Sequence, residues 1–419
     1  MSAFKFIHAA DLHLDSPLQG LRDRDGDIGE RIARASKTAL NSLISLAIDE
    51  QCKFVVLAGD IFDGDIRNFQ SALHFAKQMR RLKEANIVVF IALGNHDAEN
   101  KFMARLDLGD NVQVFTSRNA QTIRIDDIAV ALHGQSFPKR DVTENIAREY
   151  PTPLPGYFNI GVLHTACAGR AEHHAPYAPC SLEQLVNHGY GYWALGHVHK
   201  HQILSKDPWV VYPGNLQGRS AKETGPKGAM LVEVQEGSVR SVEHRTLDAV
   251  RWEVLDVDVT DAGVLQDVST GLRIALDTTT LPNDRLVALR LRLIGAPVIH
   301  NELVAHADAL REDLEATLAT HAGDVWLEKL AIETTSPTSL PALDPSIAGR
   351  LAAAIAELRD QPGFAQMLEQ RLEQIRAKMP PSVRPEELIE ELRAGAGARA
   401  AAIALSLISQ TPEASDEAA

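Results

Sequence analysis

Five short polar motifs recur along the first half of the chain, and each begins where a strand-like apolar stretch gives way to a loop. In order they are Asp11-Leu12-His13, Gly59-Asp60, Gly94-Asn95-His96-Asp97, His164 after Ile160–Leu163, and Gly196-His197-Val198-His199. In open α/β sheets the carboxyl ends of parallel strands lie at one edge, where these folds place their ligands. The motifs therefore predict one sheet edge that collects Asp, Asn and His side chains.

The stretches between the motifs predict a β-α-β-α-β order at the N-terminus. The strands are Phe4–Ala9, Lys53–Ala58 and Asn86–Leu93, and the helices are Glu30–Glu50 and Asn68–Ala85. Six shorter strands follow with few long helices between them, which predicts a second, mixed sheet: Thr122–Ile125, Ile128–His133, Asn159–His164, Tyr192–Leu195, Trp209–Tyr212 and Ala229–Val234. Two mixed sheets with outer helices predict a four-layer α-β-β-α sandwich.

The remaining sequence divides into further segments, since 419 residues exceed one ordinary domain. We predict a motif-bearing domain over 1–254 and a small α+β domain over 255–335, with a helix at Glu302–Ala319. A Pro/Ser/Thr-rich stretch predicts a linker over 336–347. Two amphipathic patterns, Ala348–Met379 and Glu386–Ser409, predict a C-terminal helical segment over 348–410.

The residue types in the motifs are those that bind divalent cations. Imidazole favours transition metals, whereas carboxylate and amide oxygens suit Mn²⁺ and similar ions. One carboxylate can bridge two cations about 3.5–4 Å apart, as in two-metal hydrolases. Asp60 is the natural bridge, because it lies between the two sets of ligand candidates in the favoured layout. The ordered set is far more specific than any single motif, since Asp-x-His or Gly-Asp alone is common by chance.

The ordered motifs resemble the signature of the calcineurin-like metallophosphoesterase superfamily, which reads D-x-H, G-D, G-N-H-D/E, H and G-H-x-H. The resemblance implies a first metal held by Asp11, His13, Asp60 and His199. It implies a second metal held by Asp60, Asn95, His164 and His197, and a catalytic role for His96 at the scissile phosphate or leaving group. The implied cofactors are two divalent metal ions, with Mn²⁺ the expected ion.

A narrower resemblance concerns the stretches Phe6–Pro17, Tyr212–Arg219 and Gly225–Gly228. They are similar to the SbcD-like DNA repair exonucleases, in the YhaO-like branch. That resemblance implies that residues 255–335 are a capping domain. It also implies that the C-terminal helical segment binds an SbcC-like coiled-coil ATPase, that the chain forms a homodimer, and that DNA is the substrate.

Several residues near the motifs have open roles. Arg219, Lys222 and Lys227 form a basic cluster that either lies in solvent or contacts the DNA backbone. Asp97 is expected to orient His96 because it is the next residue, and Asp63 is expected to support the site through loop hydrogen bonds. His8 is interpreted as a packed strand residue, whereas His133 is a weaker candidate for lining the site.

The charge distribution removes one objection to a nucleic-acid substrate. The net charge is −14, which is unusual for a protein that binds DNA. Residues 255–335 hold 14 acidic and 6 basic residues, and residues 336–419 hold 12 and 8. These two segments account for −12, so residues 1–254 carry only −2. Bound cations would make the motif region locally positive.

The sequence also constrains the location of the protein. No apolar run reaches the roughly 20 residues that span a bilayer, and the N-terminus lacks a signal-peptide pattern. Three widely spaced cysteines indicate neither a disulfide framework nor a zinc knuckle. We therefore expect a cytoplasmic protein with no membrane association.

Three functions fit the motifs to different degrees. The favoured one is a metal-dependent DNA exonuclease, with endonuclease activity as an extension, acting in repair beside the ATPase. A phosphodiesterase for cyclic nucleotides or other small phosphodiesters is an alternative, because the metal motifs recognise only the phosphate. A DNA-end-binding scaffold with structural metals is a third, and the intact His96 argues against it.

Overall fold

The computed structural model describes residues 3–16, 27–64, 69–98, 106–167 and 177–336, and parts of 350–393 that include the helix Pro362–Lys378. Contacts within the chain separate two units, of which the first ends at Trp252 and the second begins at Glu253. In the part of the chain that the structure describes, no helix combines the length and the apolar character needed to cross a membrane.

The first unit contains two six-stranded sheets. Its elements in chain order are β1 (Phe4–Ala9), α1 (Asp27–Asp49), β2 (Phe54–Ala58), α2 (Phe69–Glu84), β3 (Val88–Ala92), β4 (Val112–Val114), β5 (Gln121–Ile125), β6 (Val130–Gly134), β7 (Phe158–His164), α3 (Leu182–Val186), β8 (Tyr192–Gly196), β9 (Gln202–Lys206), β10 (Trp209–Tyr212), β11 (Gly228–Gln235) and β12 (Ser238–Thr246).

Both sheets are mixed, as the sequence predicts. The first has the order β12-β11-β1-β2-β3-β4, in which β1 to β4 are parallel and β11 and β12 are antiparallel to their neighbours. The second has the order β5-β6-β7-β8-β10-β9, with a parallel centre from β6 to β10 and antiparallel edge strands. Parallel strands that share a sheet bring their carboxyl ends to one edge, which sets the position of the motifs.

Three apolar cores separate four layers in the first unit. Alternation along β1 shows how: Phe4 and Phe6 face the core between the sheets, whereas Ile7 and Ala9 face the core beneath α1 and α2. In α1 the buried residues recur every three or four positions, so one helical face covers the first sheet. The fourth layer, on the second sheet, is thin, with Leu185 of the short α3 packed on Trp193 and Leu195. The predicted α-β-β-α sandwich is confirmed.

One strand lies in a different sheet from the one expected. The stretch Ala229–Val234 was expected in the second sheet, but β11 belongs to the first sheet and pairs with β1, with Phe6 opposite Val232. Its side chains fit that place, because Met230 and Val232 face the core between the sheets and Leu231 faces the helices. The pairing joins strands more than 200 residues apart, which local sequence patterns do not encode.

The second unit is an α+β fold with its own core. A three-stranded sheet of β13 (Val250–Asp258), β14 (Leu286–Ile294) and β15 (Val325–Ile332) packs with α4 (Leu265–Thr278), α5 (His300–Ala305) and α6 (Ala307–His321). The predicted helix Glu302–Ala319 is divided between α5 and α6 at His306, whose φ and ψ of −108° and 27° lie outside the helical region. The helix α4 was not predicted.

Much of the predicted C-terminal organisation lies outside the described residues. This holds for residues 337–347 of the linker and for most of Glu386–Ser409. Within Ala348–Met379, the structure describes the helix α7 (Pro362–Lys378).

Candidate metal centre

The motif residues follow directly from the carboxyl ends of strands in both sheets. Asp11 and His13 follow β1, Asp60 follows β2, and Asn95 and His96 follow β3; His164 ends β7, and His197 and His199 follow β8. The loops turn sharply, since four of these residues have positive φ: Asp11 (51°), His13 (44°), Asp60 (53°) and His197 (103°). Left-handed backbone at non-glycine residues is costly and clusters at functional sites.

Side-chain atoms from the two sheets converge in a buried cluster. Three groups of residues offer ligand atoms that lie within 4.8 Å of one another: Asp11, His13 and His199; His13, Asp60 and His96; and Asp11, Asp60 and His164. The Nε2 atoms of His13 and His199 are 3.1 Å apart. The Oδ2 atom of Asp60 lies 3.4 Å from His164 Nε2 and 4.0 Å from His13 Nε2, so Asp60 faces both halves of the cluster.

Asn95 and His197, the two remaining ligand candidates, border the same cluster. The Oδ1 atom of Asn95 lies 3.0 Å from His164 Nε2. The imidazole of His197 packs against that of His164, with ring centroids 5.2 Å apart, and the centroid of the Tyr177 ring lies 5.7 Å from that of His197. The structure thus brings all seven predicted ligands and His96 together.

The convergent atoms suit a divalent cation. His164 places Nδ1 2.9 Å from the carbonyl oxygen of Ala58, which can only accept, so Nδ1 donates there and Nε2 faces Asp60 at 3.4 Å. The backbone N–H of His197 donates to both Asp11 oxygens, at 3.2 and 3.0 Å, and the N–H of His96 donates to Asp60 at 3.0 Å. Fixed carboxylates together with oriented imidazoles form a donor set for transition-type ions.

The buried carboxylates make this cluster strongly attractive to positive charge. Burial would lower the pKa of His164, but the nearby carboxylates, Asp60 above all, raise it to about 9. Burial would likewise raise the pKa of Asp60, whereas His164 and His13 hold it below its usual range. The nearby carboxylates therefore favour positive charge at this position, which a divalent cation would supply.

His96 contacts a different partner from the one expected. Its Nδ1 donates to Oδ1 of Asp63 at 3.1 Å, and this hydrogen bond raises the pKa of His96. Asp97, which was expected to orient His96, instead accepts backbone N–H groups of Ile61, Phe62 and Gly94 at 3.0, 3.0 and 3.2 Å. Adjacent side chains in a tight turn point in different directions, so Asp97 ties two loops together while Asp63 holds His96.

The three residues of the basic cluster lie in three different environments. Arg219 is partly exposed, and its guanidinium lies 3.2 Å from His199 Nδ1 and from Glu223 and 3.7 Å from Asp63. Lys222 is exposed. Lys227 is buried and donates from Nζ to the carbonyl oxygen of His199 at 3.1 Å, so neither of the expected roles, solvated loop or DNA contact, applies to it.

Glu223 was missed by the sequence analysis. Its Oε1 accepts from His199 Nδ1 at 2.7 Å, and its Oε2 accepts from the Arg219 backbone N–H at 2.8 Å and from Asn215 Nδ2 at 2.9 Å. Burial would raise the pKa of Glu223, but the hydrogen bond from His199 and the charge of Arg219 hold it below its usual range. No motif spacing marks this residue, which lies 24 positions after its partner.

Two further histidines lie outside the cluster. His8 is buried in β1, where Nδ1 lies 3.0 Å from the Tyr192 hydroxyl and Nε2 lies 3.1 Å from the Leu195 carbonyl oxygen, consistent with a packed strand residue. His133 stacks on Tyr190 and hydrogen-bonds to Thr122 and Asn159, so it does not line the cluster.

Comparison with known proteins gives matches over both units. A model of the calcineurin-like phosphoesterases matches residues 4–201, and a model of the middle domain of metallophosphoesterase YhaO matches residues 252–335. The chain is 36% identical to the uncharacterized metallophosphoesterase YhaO of Bacillus subtilis (strain 168), over 82% of this chain and 85% of that protein.

More distant relatives bear the name Mre11. The chain is 22% identical to the DNA double-strand break repair protein Mre11 of Sulfolobus acidocaldarius, over 83% of this chain and 90% of that protein. It is 26% identical to the Mre11 protein of Methanocaldococcus jannaschii, over 61% of this chain and 69% of that protein.

The fold and the buried cluster at its strand ends define a phosphoesterase with candidate metal-binding residues. Given its similarity to YhaO over most of both chains, the protein belongs to the calcineurin-like phosphoesterase family, and within it to the group of metallophosphoesterase YhaO.

Proposed function

We propose that the protein is a metal-dependent DNA nuclease that hydrolyses phosphodiester bonds. The observation that carries the proposal is the cluster of seven ligand candidates next to the His96–Asp63 pair, at one edge of the two sheets. Phosphoesterase chemistry follows from the family. DNA as the substrate is supported by the names of the Mre11 relatives, with which the chain shares most of its length.

The proposed centre holds two divalent cations, with Mn²⁺ the expected ion. Asp11, His13, Asp60 and His199 would hold the first, and Asp60, Asn95, His164 and His197 the second. Asp60 would belong to both sets, because its Oδ2 lies 4.0 Å from His13 Nε2 and 3.4 Å from His164 Nε2. When bound, such a pair draws charge from the phosphate oxygens and makes hydroxide available at neutral pH.

The protein groups supply orientation and a proton. The Asp63 carboxylate holds the Nδ1 proton of His96, which fixes the ring and keeps the pKa of the imidazole raised. Protonated His96 can donate from Nε2 to the oxygen that leaves phosphorus, or neutralise charge that develops on the phosphate. His96 is half-buried, whereas the seven ligand candidates are buried, so it stands on the open side of the cluster.

The test is hydrolysis of linear duplex DNA by the full chain with Mn²⁺. We expect cleavage by the wild type and a loss of about 10²–10⁴-fold in His96→Ala, the usual range for a general acid or base. His321→Ala, which removes an exposed histidine at the end of α6, should cleave like the wild type. Absence of cleavage by the wild type, or equal cleavage by His96→Ala, would overturn the proposal.

The same assay separates the alternatives. Faster turnover of cyclic nucleotides than of duplex DNA would favour a small-molecule phosphodiesterase. Metal-dependent DNA binding without hydrolysis would favour a scaffold. The coiled-coil ATPase partner, the homodimer and the cytoplasmic location that the sequence suggests stay predictions.

A further inference from the structure

The two halves of the candidate centre are supported in different ways. Behind His164, Nδ1 faces the neutral carbonyl oxygen of Ala58 at 2.9 Å. Behind His199, Nδ1 faces the Glu223 carboxylate at 2.7 Å. A carboxylate behind a ligating imidazole fixes both the tautomer and the orientation of the ring. The difference between the two partners therefore bears on how each half would bind its ion.

The hydrogen-bond pattern determines which nitrogen of His199 carries the proton. Among the described residues, Nδ1 lies 2.7 Å from Glu223 Oε1 and 3.2 Å from the Arg219 guanidinium. A guanidinium can only donate, and a carboxylate can only accept. The shorter contact is to the carboxylate, and Arg219 can donate to that same oxygen at 3.2 Å. Nδ1 therefore donates, and Nε2, which faces His13 and Asp11, is the nitrogen that carries no proton.

Glu223 is itself held rigidly by the loop that carries it. Its second oxygen accepts from the Arg219 backbone N–H and from Asn215, whose amide also donates to Gln217. The loop lies directly on the His199 segment, because a Cβ atom on Gly214 would come within 3.0 Å of the His199 carbonyl oxygen. Protein groups alone thus hold Glu223 in place, and only a small part of its side chain reaches solvent.

We propose that Glu223 is the positioning residue of the first metal position, acting through His199 and not through the second position. The inference rests on the proposed function, since it presupposes a centre with two ions. It distinguishes Glu223 from the ligand candidates, because its oxygens are already occupied by four N–H donors.

The isosteric change Glu223→Gln tests positioning rather than packing. In one orientation, the NH2 group of the Gln side chain donates to His199 Nδ1. This favours the tautomer with the proton on Nε2, which is the atom that must be unprotonated to bind an ion. In the other orientation, the NH2 group of the Gln side chain faces the Arg219 N–H and the Asn215 amide NH2. Both of these groups are donors, so two hydrogen bonds are lost. Either orientation disturbs His199, although the side-chain volume is kept.

The measurement is Mn²⁺ binding to the full chain, by titration calorimetry and by electron paramagnetic resonance. We expect the wild type to bind two ions with a spin-coupled spectrum. Glu223→Gln should lose about tenfold or more in affinity at one position and show the spectrum of an isolated ion. The retained second ion shows that the variant is folded. Glu243→Gln, which removes an exposed charge on β12, should match the wild type.

Two results would count against the inference, and a third against the proposed function. Wild-type binding by Glu223→Gln with weakened binding only by Glu223→Ala would show that Glu223 acts by filling space. Equal weakening of both positions in Glu223→Gln would show a general structural role. A wild type that binds no Mn²⁺ would instead remove the proposed metal centre itself.

Discussion

The Asp63 carboxylate serves more than one group in the site. Its Oδ1 lies 3.1 Å from His96 Nδ1 and 3.5 Å from His13 Nδ1, and Arg219 approaches to 3.7 Å. These cationic or donor groups hold the pKa of Asp63 below its usual range, although burial would raise it. One carboxylate therefore fixes a ligand candidate and the proposed acid relative to each other.

We predict that Asp63→Asn slows DNA hydrolysis about tenfold or more while the fold is retained. An amide can still accept one hydrogen bond, but it carries no charge to hold the proton on His96, and losses of 10–100-fold are typical for such supporting groups. The measurement is kcat with Mn²⁺, with circular dichroism as the check on folding. Asp127→Asn, at an exposed turn, is the matched control. An unchanged kcat in Asp63→Asn would contradict the role of this pair.

At the level of single residues, the sequence predicted the candidate site residues but not the side chains that hydrogen-bond to them. Asp11, Asp60 and His164 are recognisable because each follows an apolar strand. The partners Asp63 and Glu223 depend on which way a side chain points out of a loop and on how a distant loop returns to the strand ends. Asp97 illustrates the limit: adjacency to His96 suggested a contact, but the turn directs its carboxylate to three backbone N–H groups.

Among the elements, the ends of β2, β7 and β8 join the two sheets at the site. Ala58 ends β2 of the first sheet, and its carbonyl oxygen receives a hydrogen bond from His164 at the end of β7 in the second sheet. Gly196, at the end of β8, lies so close that a Cβ atom there would be 1.8 Å from the Ala58 oxygen. The absence of a side chain at Gly196 thus permits the approach that brings ligands from both sheets together.

We predict that Gly196→Ala destabilises the first unit and weakens Mn²⁺ binding. The methyl group must push β8 away from β2, and forced overpacking typically costs about 1–3 kcal/mol. The displacement also disturbs the Ala58–His164 hydrogen bond. Urea unfolding and Mn²⁺ titration measure the two effects. Gly263→Ala, an exposed position where the added Cβ has only ordinary contacts, should change neither. Wild-type stability in Gly196→Ala would contradict this account of the sheet contact.

Elements were predictable where their periodicity was uninterrupted. The helix α1 has eight buried positions at helical spacing and was expected within three residues of its observed start. In α4 the buried positions are Val268, Ser269 and Leu272, and Ser269-Thr270-Gly271 interrupts the apolar stripe, so the pattern was too weak to identify. The place of β11 was missed for another reason, since its alternation is compatible with either sheet.

At the scale of the whole molecule, the charge and the proposed chemistry are distributed unequally between the units. All seven ligand candidates, His96 and Glu223 belong to the first unit, which ends at Trp252. The excess of acidic residues lies mainly beyond residue 254. The second unit has a separate core built on β13, β14 and β15. Binding of cations should therefore affect the stability of the first unit and not that of the second.

We predict that Mn²⁺ raises the unfolding temperature of the first unit alone. An ion that binds only the native state stabilises it by RT ln(1 + [L]/Kd), which is about 2.7 kcal/mol at a concentration of 100 Kd. Scanning calorimetry of the full chain in EDTA and in Mn²⁺ should show one transition that shifts and one that does not. His199→Ala, which removes a ligand candidate, should shift less. Equal shifts of both transitions would contradict the prediction and would mean that the two units unfold together, because the ligand candidates belong to the first unit alone.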